Sequence, residues 1–417
     1  MEKRKLLILL GAGSSIPWGM PSVTAIGEQM KGWSRVLAQR PIAPDFFNLL
    51  WDTARSYRAN SPFPEAGNPE PNFEQVLGYM IGLAGWETPS PRGNVLKRAV
   101  IDGALPENWV VPMANPDMYR YGQQIIILHQ LVKLLGELAR YMRRSSRAIE
   151  PSSPSFSRYR DVFSGLRGQF DVGVYNLNYD GMAVAAWPDA FNGFDDTGKF
   201  AARAVFRRKE WDFVYHLHGS VHHTLGEELG SEIHWARDIT AQGFHDGDAV
   251  PPSQLLSDDK VFPRTTIIAG GFKLDQLLLD PFQAFYASFV RHAYEADAIL
   301  IAGYGFGDAH VNHAFSNRLS RGPDRPPIVV VTKSRSDDEL MGGRELHSDP
   351  WAWNLGRFLR CSFDLSFSSA GGEPKVPRLT EQGEFEESCG ETVGVWHGGF
   401  ETVSSSLDSF TTRLTGS

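Results

Sequence analysis

The sequence predicts an α/β fold: an open parallel sheet with a large helical insertion and a small C-terminal appended region. Three observations predict it. Leu6–Leu10 is an unbroken apolar run of strand length, as a strand buried on both faces requires. The run ends abruptly in Gly11-Ala12-Gly13-Ser14-Ser15, small residues that let a ligand come close to the backbone. Four later apolar runs also stop at polar or glycine-rich residues, with helical patterns between them.

A strand, a tight glycine turn and a helix hold a pyrophosphate against backbone N–H groups at a helix N-terminus. The sheet is therefore expected to be Rossmann-like, with Gly11, Ala12, Gly13, Ser14 and Ser15 binding a dinucleotide. The spacing departs from the usual G-x-G-x-x-G, because Ile16 takes the third glycine position and Pro17 follows. A Gly-rich turn is also ordinary loop chemistry, and both readings stand on these residues alone.

After the turn, Val23, Ile26, Met30, Trp33 and Leu37 recur at helical spacing behind a Ser or Thr cap. Residues 41–71 are irregular, with a short helical piece at Phe46–Tyr57. A helix begins near Asn72, with Glu74 in the first turn where the helix dipole favours it. Residues 86–118 are loop-rich, with one helix near Val95–Ile101. The strongest helical pattern, Tyr121–Arg147, ends in Arg140, Arg143, Arg144 and Arg147, which read as a solvated helix C-terminus. A Ser/Pro linker at Pro151–Ser157 precedes the next strand, Phe170–Leu177. Residues 11–169 far exceed one crossover. The expected division is thus 1–40 with 158–335 as the catalytic nucleotide domain, 41–157 as a helical insertion and 336–417 as a C-terminal extension for oligomerisation or partner contact.

The second strand runs into Asn178-Tyr179-Asp180. A third, DFVYHLH, runs into His218-Gly219-Ser220; a fourth, AILIAG, into Gly303-Tyr304-Gly305-Phe306-Gly307-Asp308; a fifth, PIVVVT, into Thr332-Lys333. The ligand crevice of an open α/β sheet lies outside the carboxyl ends of its strands, so these motifs should converge on one pocket. Residues 221–264 read as irregular or a small β excursion. Leu274–Ala296 reads as a helix with Leu277, Leu278, Phe282, Phe285, Phe289 and Tyr294 as its core stripe. Beyond Ser334 the pattern fades to a helix at Trp351–Leu359 and short strand-like pieces such as ETVGVW.

Composition narrows the class. In 417 residues, 42% hydrophobic and 12% aromatic content allows a substantial core. A net charge of −8 argues against a generally basic nucleic-acid binder, and direct nucleic-acid binding is not expected. Two cysteines, Cys361 and Cys389, fit a reducing compartment and cannot alone make a four-ligand zinc site. His222, His223, His234 and His245 match no zinc spacing, so no metal is expected. The run Leu6–Leu10 is too short for a signal peptide, and no segment approaches the roughly 20 apolar residues a membrane span needs. The expected location is cytoplasmic, with no membrane partner.

Asn178 and His218 are the catalytic candidates. An imidazole at a strand end can act as a base near neutral pH, although a lone turn histidine is commonly structural. Asn178 alone could equally be a turn or cap residue. Together with the first turn they gain weight. GAGSSIPWGMP, Asn178-Tyr179-Asp180, His218-Gly219-Ser220 and GYGFGDAH stand in the order of the sirtuin motifs GAGxSxxxGxP, N-x-D, HG and a glycine-rich strand end, and this chain resembles that family over residues 5–335. NFEQVL and AGYGFGDAHVN resemble its bacterial defence branch.

The resemblance implies NAD+ as substrate and hydrolysis of the nicotinamide–ribose bond, in an NAD-depleting effector of anti-phage defence by abortive infection. It implies that Asn178 orients water or ribose, Asp180 supports the site, and His218 contacts the ribose and acts as base. Gly303, Gly305, Phe306 and His310 would border the cofactor. A homo-oligomer is implied, with a HerA-like translocase or another sensor protein as partner. The four-cysteine zinc module of the deacylases has no counterpart, since no cysteine precedes Cys361. The alternatives are an NAD-dependent protein-modifying enzyme, either an ADP-ribosyltransferase or a deacylase, and a non-enzymatic NAD or ADP-ribose sensor. A dehydrogenase comes last.

Overall fold

The structure is a computed structural model describing residues 3–38, 44–59, 70–86, 122–225, 232–239, 256–257, 260–261, 265–270, 273–321, 325–333, 350–363, 375–390 and 392–416. The chain divides into two compact units. One comprises Met1–Met20, Ser145–Ser220 and Pro281–Ser417; the other comprises Pro21–Arg144 and Val221–Asp280.

The first unit is built on a seven-stranded sheet of β1 (Arg4–Leu10), β2 (Phe170–Asn176), β3 (Asp212–His216), β4 (Ala298–Ala302), β5 (Ile328–Val331), β6 (Glu386–Glu387) and β7 (Val393–Trp396), in the order β6-β7-β5-β4-β1-β2-β3. Every pairing is parallel except β6 with β7. This is the doubly wound, Rossmann-like arrangement: the chain lays β2 and β3 on one side of β1, then returns to lay β4 and β5 on the other. Leu6–Leu10 are at most 1% exposed, as a central strand covered on both faces must be. Burying five aliphatic side chains to that degree contributes on the order of 10 kcal/mol before the entropy of ordering is subtracted.

Helices cover the sheet. Pro154–Gln169 starts at a Ser153 cap, whose hydroxyl accepts from Phe156 N at 3.2 Å, with Pro154 in the first turn. It leads directly into β2. Phe282–Glu295 packs on β1 and β3, and Leu407–Thr415 packs on β4 and β5. The C-terminal region thus does more than append: β7 pairs with β5 from Val393↔Ile328 to Trp396↔Val331 and supplies the sixth parallel strand. Four residues between glycine-rich flanks are too few for a periodic pattern to place them in the main sheet.

The second unit is largely helical. Val23–Ala38, expected from sequence to cover the first strand, belongs to this unit, where it packs with Phe46–Ala59 and Phe73–Trp86. Asn72 and Gln75 form a reciprocal capping box, Gln75 N donating to Asn72 Oδ1 at 2.8 Å and Asn72 N to Gln75 Oε1 at 3.0 Å. Gly122–Arg147 buries Leu128, Leu131, Leu134, Leu135 and Leu138 on one stripe. Within its arginine cluster, expected to be solvated, Arg143 is buried and its guanidinium donates to Val221 O at 3.0 Å and His223 O at 3.3 Å. Two short hairpins, His223–Leu225 with Ile233–Trp235 and Leu256–Ser257 with Lys260–Val261, realise the predicted β excursion.

The helix expected over Leu274–Ala296 is two pieces, Lys273–Gln276 and Phe282–Glu295. Pro281 lacks the N–H an internal turn needs and stands where the second piece begins, so Leu278 is 58% exposed and outside the core. The helix expected near Val95–Ile101 lies outside the described residues. No helix among the described residues is long and apolar enough to cross a membrane.

Two backbone turns interlock at the carboxyl edge of the sheet. Gly11 N donates to Ala302 O and Gly13 N to Gly303 O, both at 2.9 Å. Gly303 has φ +63°, and a Cβ on it would stand 2.1 Å from Ser14 N and 2.3 Å from Gly13 C. Gly303→Ala therefore meets both backbone strain and a backbone clash that no rotamer relieves. It should lower the free energy of unfolding by about 3 kcal/mol, read from urea denaturation followed by circular dichroism. Wild-type stability in this variant would show that the two turns are not held together.

Candidate active site

The ends of the parallel strands lie in one row. Leu10 pairs with Asn176 on one side and Ala302 on the other; Asn176 in turn pairs with His216, and Ala302 with Val331. The residues that follow are therefore neighbours along one edge: Gly11 after β1, Asn178 two past β2, His218 two past β3 and Gly303 after β4. The winding reverses between β1 and β4, which is where an α/β sheet opens a ligand crevice.

The β1 turn differs from the predicted strand–turn–helix. Two 3-10 turns, Ala12–Ser14 and Ile16–Trp18, follow the strand, Gly19 closes them at φ 93°, and the α-helix begins only at Val23. The N–H groups of Gly11, Gly13, Ser14 and Ser15 are bonded within the fold, to Ala302 O, Gly303 O, Gly11 O and Ala12 O. The cradle of free backbone donors expected from sequence is absent among these four. What the turn offers is polar side chains: Ser14 and Ser15, both buried.

Those hydroxyls meet the residues after β2. Asn178 Nδ2 lies 3.0 Å from Gly11 O, 3.2 Å from Ser14 Oγ and 2.9 Å from Ser15 Oγ, and its own N–H donates to Asn176 Oδ1 at 2.9 Å. The amide nitrogen is thus committed to the turn. Asp180, 1% exposed, bonds Ser15 and accepts from Met182 N at 3.0 Å. Burial pushes its carboxyl above the ordinary range, against the pull of those hydrogen bonds. Tyr159, on the helix before β2, bonds Ser14 and packs edge-on against Trp18 with ring centroids 4.9 Å apart. Burial, and then the Asp180 charge, raise its phenol well above the usual value. Nothing in the sequence around Tyr159 marked it as a site residue.

The residues after β3 meet those after β4. His218 Nε2 lies 3.1 Å from His310 Nε2, and both rings are buried. Asp308 completes the group, with one of its carboxylate oxygens and one ring nitrogen of each histidine all within 4.8 Å of one another. Tyr304 Oη braces the loop, receiving Asp308 N at 3.1 Å and donating toward Asn312 Oδ1 at 2.9 Å, while Asn312 Nδ2 donates to Phe306 O at 2.8 Å. Phe306 adopts φ 53° and buries its ring against Tyr304 and Trp351; Gly305 is exposed. Tyr286 Oη donates to His310 O at 3.0 Å and fixes the start of the helix Ala309–Arg321. Sequence reasoning placed His310 beside the cofactor; it gave no sign that the ring would meet His218.

The other histidines lie elsewhere. His222 is buried, stacks on Trp235 and binds Ala236 O through Nδ1 at 2.8 Å. Desolvation holds its pKa down to about 4, so it is neutral at physiological pH. His223 and His234 sit on the paired strands of that hairpin, and His245 lies outside the described residues.

The raised Asp180 carboxyl couples stability to pH. A carboxyl that binds its proton more tightly folded than unfolded makes stability fall as pH rises from the unfolded value, about 4, through the folded one. Asp180→Asn keeps the Oδ1 acceptor and removes the charge, so unfolding free energies from pH 4 to 8 should decline less steeply in the variant. Equal slopes would place the Asp180 proton outside the folding equilibrium.

No curated protein matches the chain. Among solved structures, a mutant Sir2 homologue in complex with 2′-O-acetyl ADP-ribose matches at 14% identity over 86% of this chain and 93% of its own, with TM-score 0.34. A Sir2 homolog–NAD complex matches at 12% identity over 86% and 89%, with TM-score 0.35. A structure described as the basis for sirtuin substrate affinity matches at 14% identity over 92% and 94%, with TM-score 0.29. Residues 172–348 match the family model of the SIR2-like domain, a span that contains Asn178, Asp180, His218, Asp308 and His310.

Proposed function

We propose that the chain is an NAD+ glycohydrolase that cleaves the nicotinamide–ribose bond. The observation that carries this reading is the joining of Asn178, Asp180 and His218 to the β1 and β4 turns along one sheet edge, within a span that matches a SIR2-like domain. The SIR2-like match supports an NAD-using enzyme, and the nature of the acceptor decides which kind.

Nicotinamide leaves as a neutral molecule from a cationic ring, so no acid is needed. Positive charge instead builds on the ribose as the bond opens, as in glycoside hydrolysis. Water then attacks the anomeric carbon, giving ADP-ribose, nicotinamide and one proton. In this reading Asn178, its Nδ2 held by Gly11 O and the two serines, presents Oδ1 to the water or the ribose. His218 takes the proton and shares it with His310 across their 3.1 Å contact. Asp180 and Tyr159 keep the serines in place. Water is favoured over acyl-lysine because the cysteines that would build the deacylase zinc module are missing.

We further propose that this activity depletes NAD+ in anti-phage defence, in a homo-oligomer coupled to a HerA-like ATPase or another sensor. The support is the likeness of NFEQVL and AGYGFGDAHVN to the bacterial defence branch. The chemistry is tested by chromatography of NAD+ incubated with the purified chain, Asn178→Ala and His218→Ala. The parent should release nicotinamide and ADP-ribose, and both variants should fall at least about 100-fold. Intact NAD+ with the parent, alone and with the co-expressed partner, would overturn the hydrolase.

A further inference from the structure

We propose that His218, His310 and Asp308 form a binding site for a divalent first-row transition-metal ion such as Zn2+. The two imidazoles present their Nε2 atoms to each other at 3.1 Å. Two nitrogens at that separation, each about 2.05 Å from a shared ion, subtend about 98° there, between the octahedral and tetrahedral angles. The same contact would also serve one N–H···N hydrogen bond. A third group stands beside the pair: one Asp308 carboxylate oxygen and one nitrogen of each ring all lie within 4.8 Å of one another. Ligands on a tetrahedral ion stand about 3.3 Å apart, so the carboxylate closes by up to roughly 1.5 Å, a distance its side-chain torsions can supply.

The ligand set suits such an ion. Imidazole nitrogen selects Zn2+, Co2+, Ni2+ or Fe2+ over Mg2+ or Ca2+, and two histidines with one carboxylate leave positions open for water or a ligand oxygen. Support from the surrounding residues is in place. Tyr286 Oη donates to the His310 carbonyl and Tyr304 Oη receives the Asp308 N–H, which fixes the backbone from which these two ligands project. His218 comes from the end of β3, which fixes the third ligand on a different element.

The inference shares a pocket with the proposed hydrolase without depending on it. An ion bound here takes the His218 lone pair that would accept a proton, so it would act as a brake on the reaction described above.

The test is a Co2+ titration of the full chain after dialysis against EDTA, in the absence of nucleotide, read by visible d–d absorption. One Co2+ per chain should give a band that is lost in His310→Ala. Asp308→Asn should weaken binding by about tenfold or more. His313→Ala, an exposed histidine on the same helix, should bind like the parent. Circular dichroism confirms that each variant is folded. No band beyond that of free Co2+, or equal affinity in a folded His310→Ala, would overturn the site. Because no NAD+ is present, a chain that binds cobalt and leaves NAD+ intact would retain the metal site and lose only the hydrolase.

Discussion

The contact between the β1 and β4 turns is the constraint on which the site depends. Gly11 and Gly13 donate into Ala302 O and Gly303 O, and the gap is so narrow that three positions exclude a Cβ. Glycine is required here for backbone-to-backbone packing, whatever ligand also approaches. Because the turns close on each other, the serines after Gly13 are carried to the place where Asn178 can reach them. The polar centre is in this way set by main-chain geometry belonging to the sheet, which holds its groups more tightly than a surface loop would.

Around that contact the chain accepts a costly arrangement. Asn178, Asp180, Tyr159, Ser14 and Ser15 are all buried, and a half-satisfied polar cluster in a low-dielectric interior is strongly destabilising. Here each member has a partner: the Asn178 amide bonds the turn, the serines bridge to Tyr159 and Asp180, and Met182 N reaches the carboxylate. Such a network favours one geometry over its neighbours, because a shifted turn would strand several groups at once. The histidine pair is set apart from it chemically. Its His310 follows the β4 loop, where Tyr304 and Asn312 do the bracing, and its His218 follows β3.

Much of the sheet was legible in the sequence because parallel strands buried on both faces leave continuous apolar runs, and Leu6–Leu10, FDVGVYN, DFVYH, AILIA and IVVV are such runs. The polar residues at their ends pointed to one edge for the same reason. The seventh strand was legible only as the strand-like piece ETVGVW; its place beside β5 is decided by pairing over long sequence distances. Helix ownership was also hidden: Val23–Ala38 has an ordinary amphipathic pattern, and nothing in that pattern says which partner its apolar face will meet. Pro281 was visible, yet its break was read through because the apolar spacing happens to continue across it. Within the site, local motifs named Asn178, His218 and His310. The meeting of the two imidazoles could not be read, because residues 218 and 310 are joined only by the register of β3 and β4 about β1.

That register also sets a schedule for synthesis. β1 is made long before its neighbours, which are encoded far downstream: Lys5 N donates to Asp297, 292 positions later, and Asn178 reaches Gly11 across 167. Parallel pairings over such separations close slowly, so an apolar strand waits for its partners until residues 170–176 and 298–302 have been made. The interlocked glycines have nothing to close against until β4 is translated, so no shorter intermediate can assemble the pocket, and any chemistry it performs is withheld until translation has passed that strand.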